Sequence, residues 1–171
     1  MKRNYVSSLL MFCMSAVGCS RVAATALREL TIPNFDADSP DCIVKLPDVD
    51  PACTVESCTI SAPKGATTGP MRINFSCLPK SAPTGFENPA PDVKVQSFRS
   101  KNAKGHLSLI DDVQSGSAER MRELNFCLYG KLKNFCGNAK VQRLSGGAKT
   151  DGSSEIKAFI QRIELQGAAF K

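Results

Sequence analysis

The sequence predicts an α+β fold: an antiparallel β-sheet covered by a C-terminal amphipathic helix and stapled by disulfides. Three observations predict it. Apolar and polar residues alternate at strand period over Met71 to Cys77 and Arg120 to Tyr129. One helical stripe occurs near the C-terminus. Eight cysteines accompany a single histidine, a ratio that favours disulfides over metal ligation. At 171 residues the length suits one domain, and a hydrophobic content of 42% is enough to fill a core and excludes a wholly disordered chain.

Residues 1–24 read as an export signal. Lys2 and Arg3 form a positive n-region, and Val6 to Val17 is an uncharged, mostly apolar run too short for a membrane span. Cleavage has two readings. Ala16-Val17-Gly18-Cys19 is a partial lipobox, which would make Cys19 an acylated N-terminus, and the following Ser20 suits an outer-membrane anchor. Ordinary signal peptidase would instead cut after Ala24 or Ala26. Either way the protein is expected in the periplasm or anchored to the outer membrane. Cys13 leaves with the signal, and Cys42, Cys53, Cys58, Cys77, Cys127 and Cys136 remain as an even set, the mark of a disulfide framework in an exported chain.

Residues 25–51 read as an acidic, proline-rich arm, and 52–171 as a single α+β domain. Pro33, Pro40, Pro47 and Pro51 punctuate the arm. Asp36, Asp38, Asp41, Asp48 and Asp50 crowd it without the spacing of a calcium loop, so turn and Asx chemistry is expected. From Leu27 to Ile60 there are seven acids and two bases, and from Ser61 onward nine acids and seventeen bases. An acidic arm thus precedes a basic body, within a chain of formal charge +6.

Strands follow in order. Cys53 to Ile60 is rich in β-favouring residues. Met71, Ile73, Phe75 and Cys77 point one way, and Arg72, Asn74 and Ser76 the other. Leu78 to Pro91 carries four prolines and Gly85 and reads as a long loop, a frequent carrier of binding function. Val93 to Phe98 and Leu107 to Val113 are strands around a basic turn from Arg99 to Gly105. Arg120 to Tyr129 returns through a four-residue loop into Phe135 to Leu144. That register pairs Tyr129 with Asn134 and sets Cys127 opposite Cys136, within disulfide reach. The other four cysteines leave Cys53–Cys58 or Cys58–Cys77 open, with Cys42 taking the remaining partner. Over Ser153 to Gln166, Ile156, Phe159, Ile160 and Ile163 form one stripe, with Ser153 or Ser154 as cap, Arg162 late and Gly167 as the stop.

No catalytic constellation assembles in this order of residues, and the chain reads as a non-enzyme without cofactor or metal. His106 next to Gly105 reads as an exposed turn histidine. Asp111-Asp112, Glu119 and Glu123 are the carboxylates from which a hydrolase pair would be drawn. Cys-x-x-Cys is absent, Gly146-Gly147-Ala148-Lys149 lacks phosphate-loop spacing, and few aromatics accompany the basic charge, so no nucleic-acid partner is expected.

The block Arg120-Met121-Arg122-Glu123-Leu124-Asn125-Phe126-Cys127-Leu128-Tyr129-Gly130, then Phe135-Cys136-Gly137, then Ile163-Glu164-Leu165, resembles a C-terminal segment of uncharacterised exported proteobacterial proteins. It also resembles Mog1/PsbP-like proteins, in which helices flank an antiparallel sheet. That likeness implies an immunity protein that neutralises a secreted toxin. The resulting expectation is an envelope protein that binds another protein, a toxin effector in the concrete case, through Phe86 of the proline-rich loop and Arg99, Lys101 and Lys104 of the basic turn. The competing expectations are an outer-membrane-tethered structural or assembly accessory and a cell-envelope hydrolase.

Overall fold

Alternating apolar residues dictate most of this fold, because a strand that sends every second side chain inward must meet another layer. The computed structural model describes residues 27–47, 53–61, 69–91, 93–111, 120–143 and 152–168. The signal segment, Cys19, Asp48, Asp50, Asp112, Glu119 and the Gly146 loop lie outside the described residues. The elements are β1 (Leu27–Ile32), β2 (Cys42–Pro47), β3 (Ser57–Ile60), β4 (Met71–Pro79), β5 (Lys94–Arg99), β6 (Lys104–Asp111), β7 (Arg120–Tyr129), β8 (Lys133–Arg143), α1 (Ser153–Gln161) and β9 (Glu164–Leu165).

Six strands form one antiparallel sheet in the order β3-β4-β8-β7-β6-β5, and three form a smaller one, β1-β2-β9. Along β4, Met71, Ile73, Phe75 and Cys77 are buried while Arg72, Asn74 and Ser76 are exposed, as the alternation predicts. The connection after β7 sets Tyr129 opposite Asn134 and Cys127 opposite Cys136. The core face gathers Ile73, Leu107, Leu124, Leu128 and three rings: Phe135 lies 5.3 Å from Phe75 and 5.8 Å from Phe126 between centroids. The disulfides are Cys42–Cys77, Cys53–Cys58 and Cys127–Cys136.

The described part of the expected arm is an ordered hairpin, and this is a correction. Leu30, Ile32, Val44 and Leu46 of β1 and β2 are buried in the same core cluster as the large sheet. The prolines that suggest irregularity sit at strand boundaries, where a missing N–H costs no ladder bond: Pro33 follows β1, Pro40 precedes β2 and Pro47 ends it. Cys42–Cys77 and a bridge between Asn34 and Cys77 tie the hairpin to β4. Its turn uses the Asx chemistry expected of the aspartates. Asp41 Oδ1 accepts from the Asn34 N–H at 2.9 Å, and Asp36 accepts from the Asp38 N–H and the Ser39 hydroxyl.

The helix is shorter than the stripe predicts. It ends at Gln161, with Arg162 as C-cap, and Gly152 takes the N-cap position in place of either serine. Gly152 has φ +79°, a conformation that a side chain disfavours, and a Cβ there would also press on the Met71 sulfur of β4. Ile156, Phe159 and Ile160 are buried, and so is Ile163 beyond the helix. A nine-residue helix is about 14 Å long, whereas six strands span about 24 Å; the small sheet contributes the other buried residues. Helix propagation stops because residues 163–166 take backbone partners elsewhere. The Lys101 N–H donates to the Ile163 carbonyl, the Gln166 N–H to the Ile43 carbonyl, and the Asn102 side chain bonds both the N–H and the carbonyl of Leu165, at 2.8 and 3.1 Å. Asn102 thereby imitates a neighbouring strand's peptide group.

Candidate functional site

The second face of the large sheet is polar by the same alternation that makes the first apolar. Across β4, β8, β7 and β6, Asn74, Asn138, Asn125 and Ser108 lie directly opposite one another. The adjacent row is Ser76, Cys136, Cys127, His106 and Ser97. The proline-rich loop after β4 passes over this face and encloses a groove of about 380 Å³, with Ser108, Asn125 and Asn138 on its floor and Phe86 and Pro89 on its roof.

A local turn shapes that roof. Thr84-Gly85-Phe86-Glu87 has the Thr-x-x-Glu spacing in which side chain and backbone bond reciprocally. The Thr84 N–H donates to the Glu87 carboxylate at 3.0 Å and the Thr84 hydroxyl at 2.7 Å. These bonds, the backbone one foremost, hold the Glu87 carboxyl down at about 2. Gly85 makes the turn with φ +81°, a conformation that a side chain disfavours. The result presents Phe86 to His106 at 6.0 Å between ring centroids.

His106 is not an exposed turn residue. It lies in β6, half-buried, and its Nδ1 shares a 2.7 Å hydrogen bond with the Tyr129 hydroxyl. The two rings meet edge to face at 5.5 Å, and Lys80 Nζ stands 5.3 Å from the Tyr129 ring centroid. Burial raises the Tyr129 phenol above its ordinary value and the negative Glu87 adds to this, while a hydrogen bond with Thr84 opposes it. At the edge of the same face, Asn134 Oδ1 is buried without a hydrogen-bond partner among the described residues.

The structure brings together some of the expected binding residues and separates another. Arg99 and Lys104 are opposed in register, and Lys104 is two residues from His106 on the same face of β6, the side that Phe86 approaches. Lys101 turns away. It forms a 2.5 Å ion pair with Glu164 and lines a separate mixed-charge cleft of about 640 Å³ with Glu29 and Lys45. The expected carboxylate pair is also divided: Asp111 is opposed to Arg122 and bonded by it at 2.6 Å, whereas Glu123 points to the other face.

Sequence reasoning missed an apolar site beside the groove. Phe35, at the tip of the β1–β2 turn, is 90% exposed, and Val55 is 44% exposed. Both line a depression of about 250 Å³ with Pro33, Phe75 and Ser76, and Ser76 also lines the groove. No sequence pattern marks Phe35 as exposed, because its exposure depends on the hairpin around it. In the loop, sequence reasoning rested on the four prolines and Gly85 and passed over the Thr84-x-x-Glu87 spacing, a signal that could have marked its turn. Comparison with protein-family models, curated proteins and solved structures returned no match. The chemistry of the site is therefore the ground for a functional reading.

Proposed function

We propose that this protein is an exported binding module that captures another protein, in concrete form a periplasmic immunity protein or inhibitor that neutralises a secreted antibacterial effector. One observation carries the reading: Phe35 stands almost fully in solvent beside Val55, on a turn ordered by Asn34, Asp36 and Asp41. Aromatic anchors of this kind concentrate the binding energy of protein interfaces, and an ordered turn lowers the entropy lost on association. Asp36, Asp38 and Asp41 flank the anchor and favour a basic partner surface. Three disulfides suit an oxidising compartment. In this reading α1 and the small sheet together cover the core face, the polar face is left for recognition, and lipidation of Cys19 would hold the protein at the outer membrane.

The test is competition between sister cells. Deleting the gene should make cells sensitive to their effector-secreting siblings, and normal survival of the deletion strain sinks the proposal. Complementation with Phe35→Glu should fail to protect while the purified variant keeps the wild-type melting temperature.

A further inference from the structure

The groove under the proline-rich loop differs from the rest of the surface in its charge. The chain is 22% charged, yet among the described residues that line the groove there is no Asp, Glu, Lys, Arg or His. The charges beside it are at its borders or spent: Glu87, in the roof turn, commits its carboxylate to Thr84, Arg72 and Glu123 lie on strand positions beyond the asparagine row, and His106 lies on the other side. A charged ligand entering the groove would lose hydration without gaining a partner, so the groove selects an uncharged one.

The floor asks for groups that both donate and accept. Asn138 Oδ1 accepts from Asn74 Nδ2 at 3.2 Å, which leaves its own amide N–H groups to the groove. The side chains of Asn125 and Ser108 line the groove without a hydrogen-bond partner among the described residues. Phe86, Pro89 and Leu78 add apolar C–H surface.

Spacing separates the two neutral ligand classes that such a floor suits. The groove crosses the strands, so its polar groups recur at the inter-strand distance of about 4.8 Å, whereas an extended peptide presents its backbone at about 3.3 Å per residue. The floor is also a sheet face, whose backbone groups are spent in the ladder and unavailable for strand addition. A pyranose ring is close to one strand spacing in width, carries hydroxyls at its rim, and offers a C–H face to the roof. The volume lies at the low end of ligand clefts, which run from about 300 to 1,000 Å³.

We propose that this groove binds a neutral saccharide of one or two rings, with Asn125, Asn138 and Ser108 bonding its hydroxyls and Phe86 covering its apolar face. The site adjoins the Phe35 depression, with Ser76 lining both, and does not depend on the protein-capture reading.

The oxidised full-length protein should be titrated calorimetrically with cellobiose, maltose and the N-acetylglucosamine disaccharide, and with a blocked Ala-Gly-Ala peptide. At least one disaccharide should bind with a Kd of about 1 mM or tighter. That Kd should be unchanged by salt, since screening acts on charges. Asn125→Leu should weaken it about tenfold at unaltered melting temperature. Asn88→Ala, on the exposed loop and lining the same groove, is the second variant and should also weaken binding. Absence of binding by all three disaccharides at about 10 mM overturns the proposal. So does disaccharide binding that neither variant changes, or an Asn125-dependent affinity for the peptide alone.

Discussion

The two faces of β7 are made by one run of ten residues, yet they do opposite things. Leu124, Phe126 and Leu128 are fully buried among other apolar side chains. Asn125, Cys127 and Tyr129, interleaved with them, face a roofed groove, a disulfide and the His106 ring. The core face obtains its stability from area removed from water, which is non-directional and large. The groove face depends on individual bonds, each worth little net. Adjacent positions on one strand should therefore differ greatly in what substitution costs.

The largest effect tests that contrast directly. Phe126→Ala should destabilise by about 3–5 kcal/mol, whereas Asn125→Ala next to it should stay within about 0.5 kcal/mol; chemical denaturation of the oxidised protein measures both. Equal losses would erase the distinction between the faces.

The disulfides sharpen it. Cys42–Cys77 joins the hairpin to the core side of β4 across 35 residues, and Cys127–Cys136 lies on the groove side across 9. By loop-closure entropy, replacing the first pair with alanines should cost about 4 kcal/mol and the second about 3. The first should also loosen β1 and β2, read by faster amide exchange in that hairpin.

Next in size is Asn102→Ala. It leaves the Leu165 N–H without its partner, while the Leu165 carbonyl keeps the Ala168 N–H, and should cost about 1–3 kcal/mol. Amide exchange at Leu165 should quicken before that of Leu124.

The smallest effect is confined to the roof. The Glu87 carboxyl is lowered from 4.5 to about 2, so what it adds to the turn is fully present above 4.5 and is lost as pH falls through about 2. The Thr84 amide resonance should titrate near 2 while core resonances stay still, and a midpoint at 4.5 refutes the turn. Thr84→Val should move the midpoint upward.

Much of the large sheet was legible because alternation along β4 and β7 reports a local property, the side on which each residue meets water. The Cys127–Cys136 bridge was legible for a related reason: a short connection sets register, and register sets which cysteines oppose. The hairpin was not legible, since its prolines dominate the pattern and their harmless placement at strand ends shows only once β1 and β2 are paired. The helix end was misread because the apolar stripe continues to Ile163, while Asn102, 63 positions from Leu165, draws the following backbone into a strand. At the site, the loop was visible as proline-rich punctuation, whereas His106 was misplaced and Phe35 unmarked, because exposure and ring contacts depend on distant neighbours.

By itself, then, the sequence determined which residues alternate, where the tight turn falls between β7 and β8, and which cysteines it opposes, all consequences of spacing along one chain. The tertiary structure alone decided that the described part of the acidic segment joins the core, that Lys101 pairs with Glu164 away from Phe86, and that a groove with no charged lining among the described residues runs beneath the proline-rich loop. Those features arise where strands far apart in sequence become neighbours, and one-dimensional spacing carries no record of such contacts.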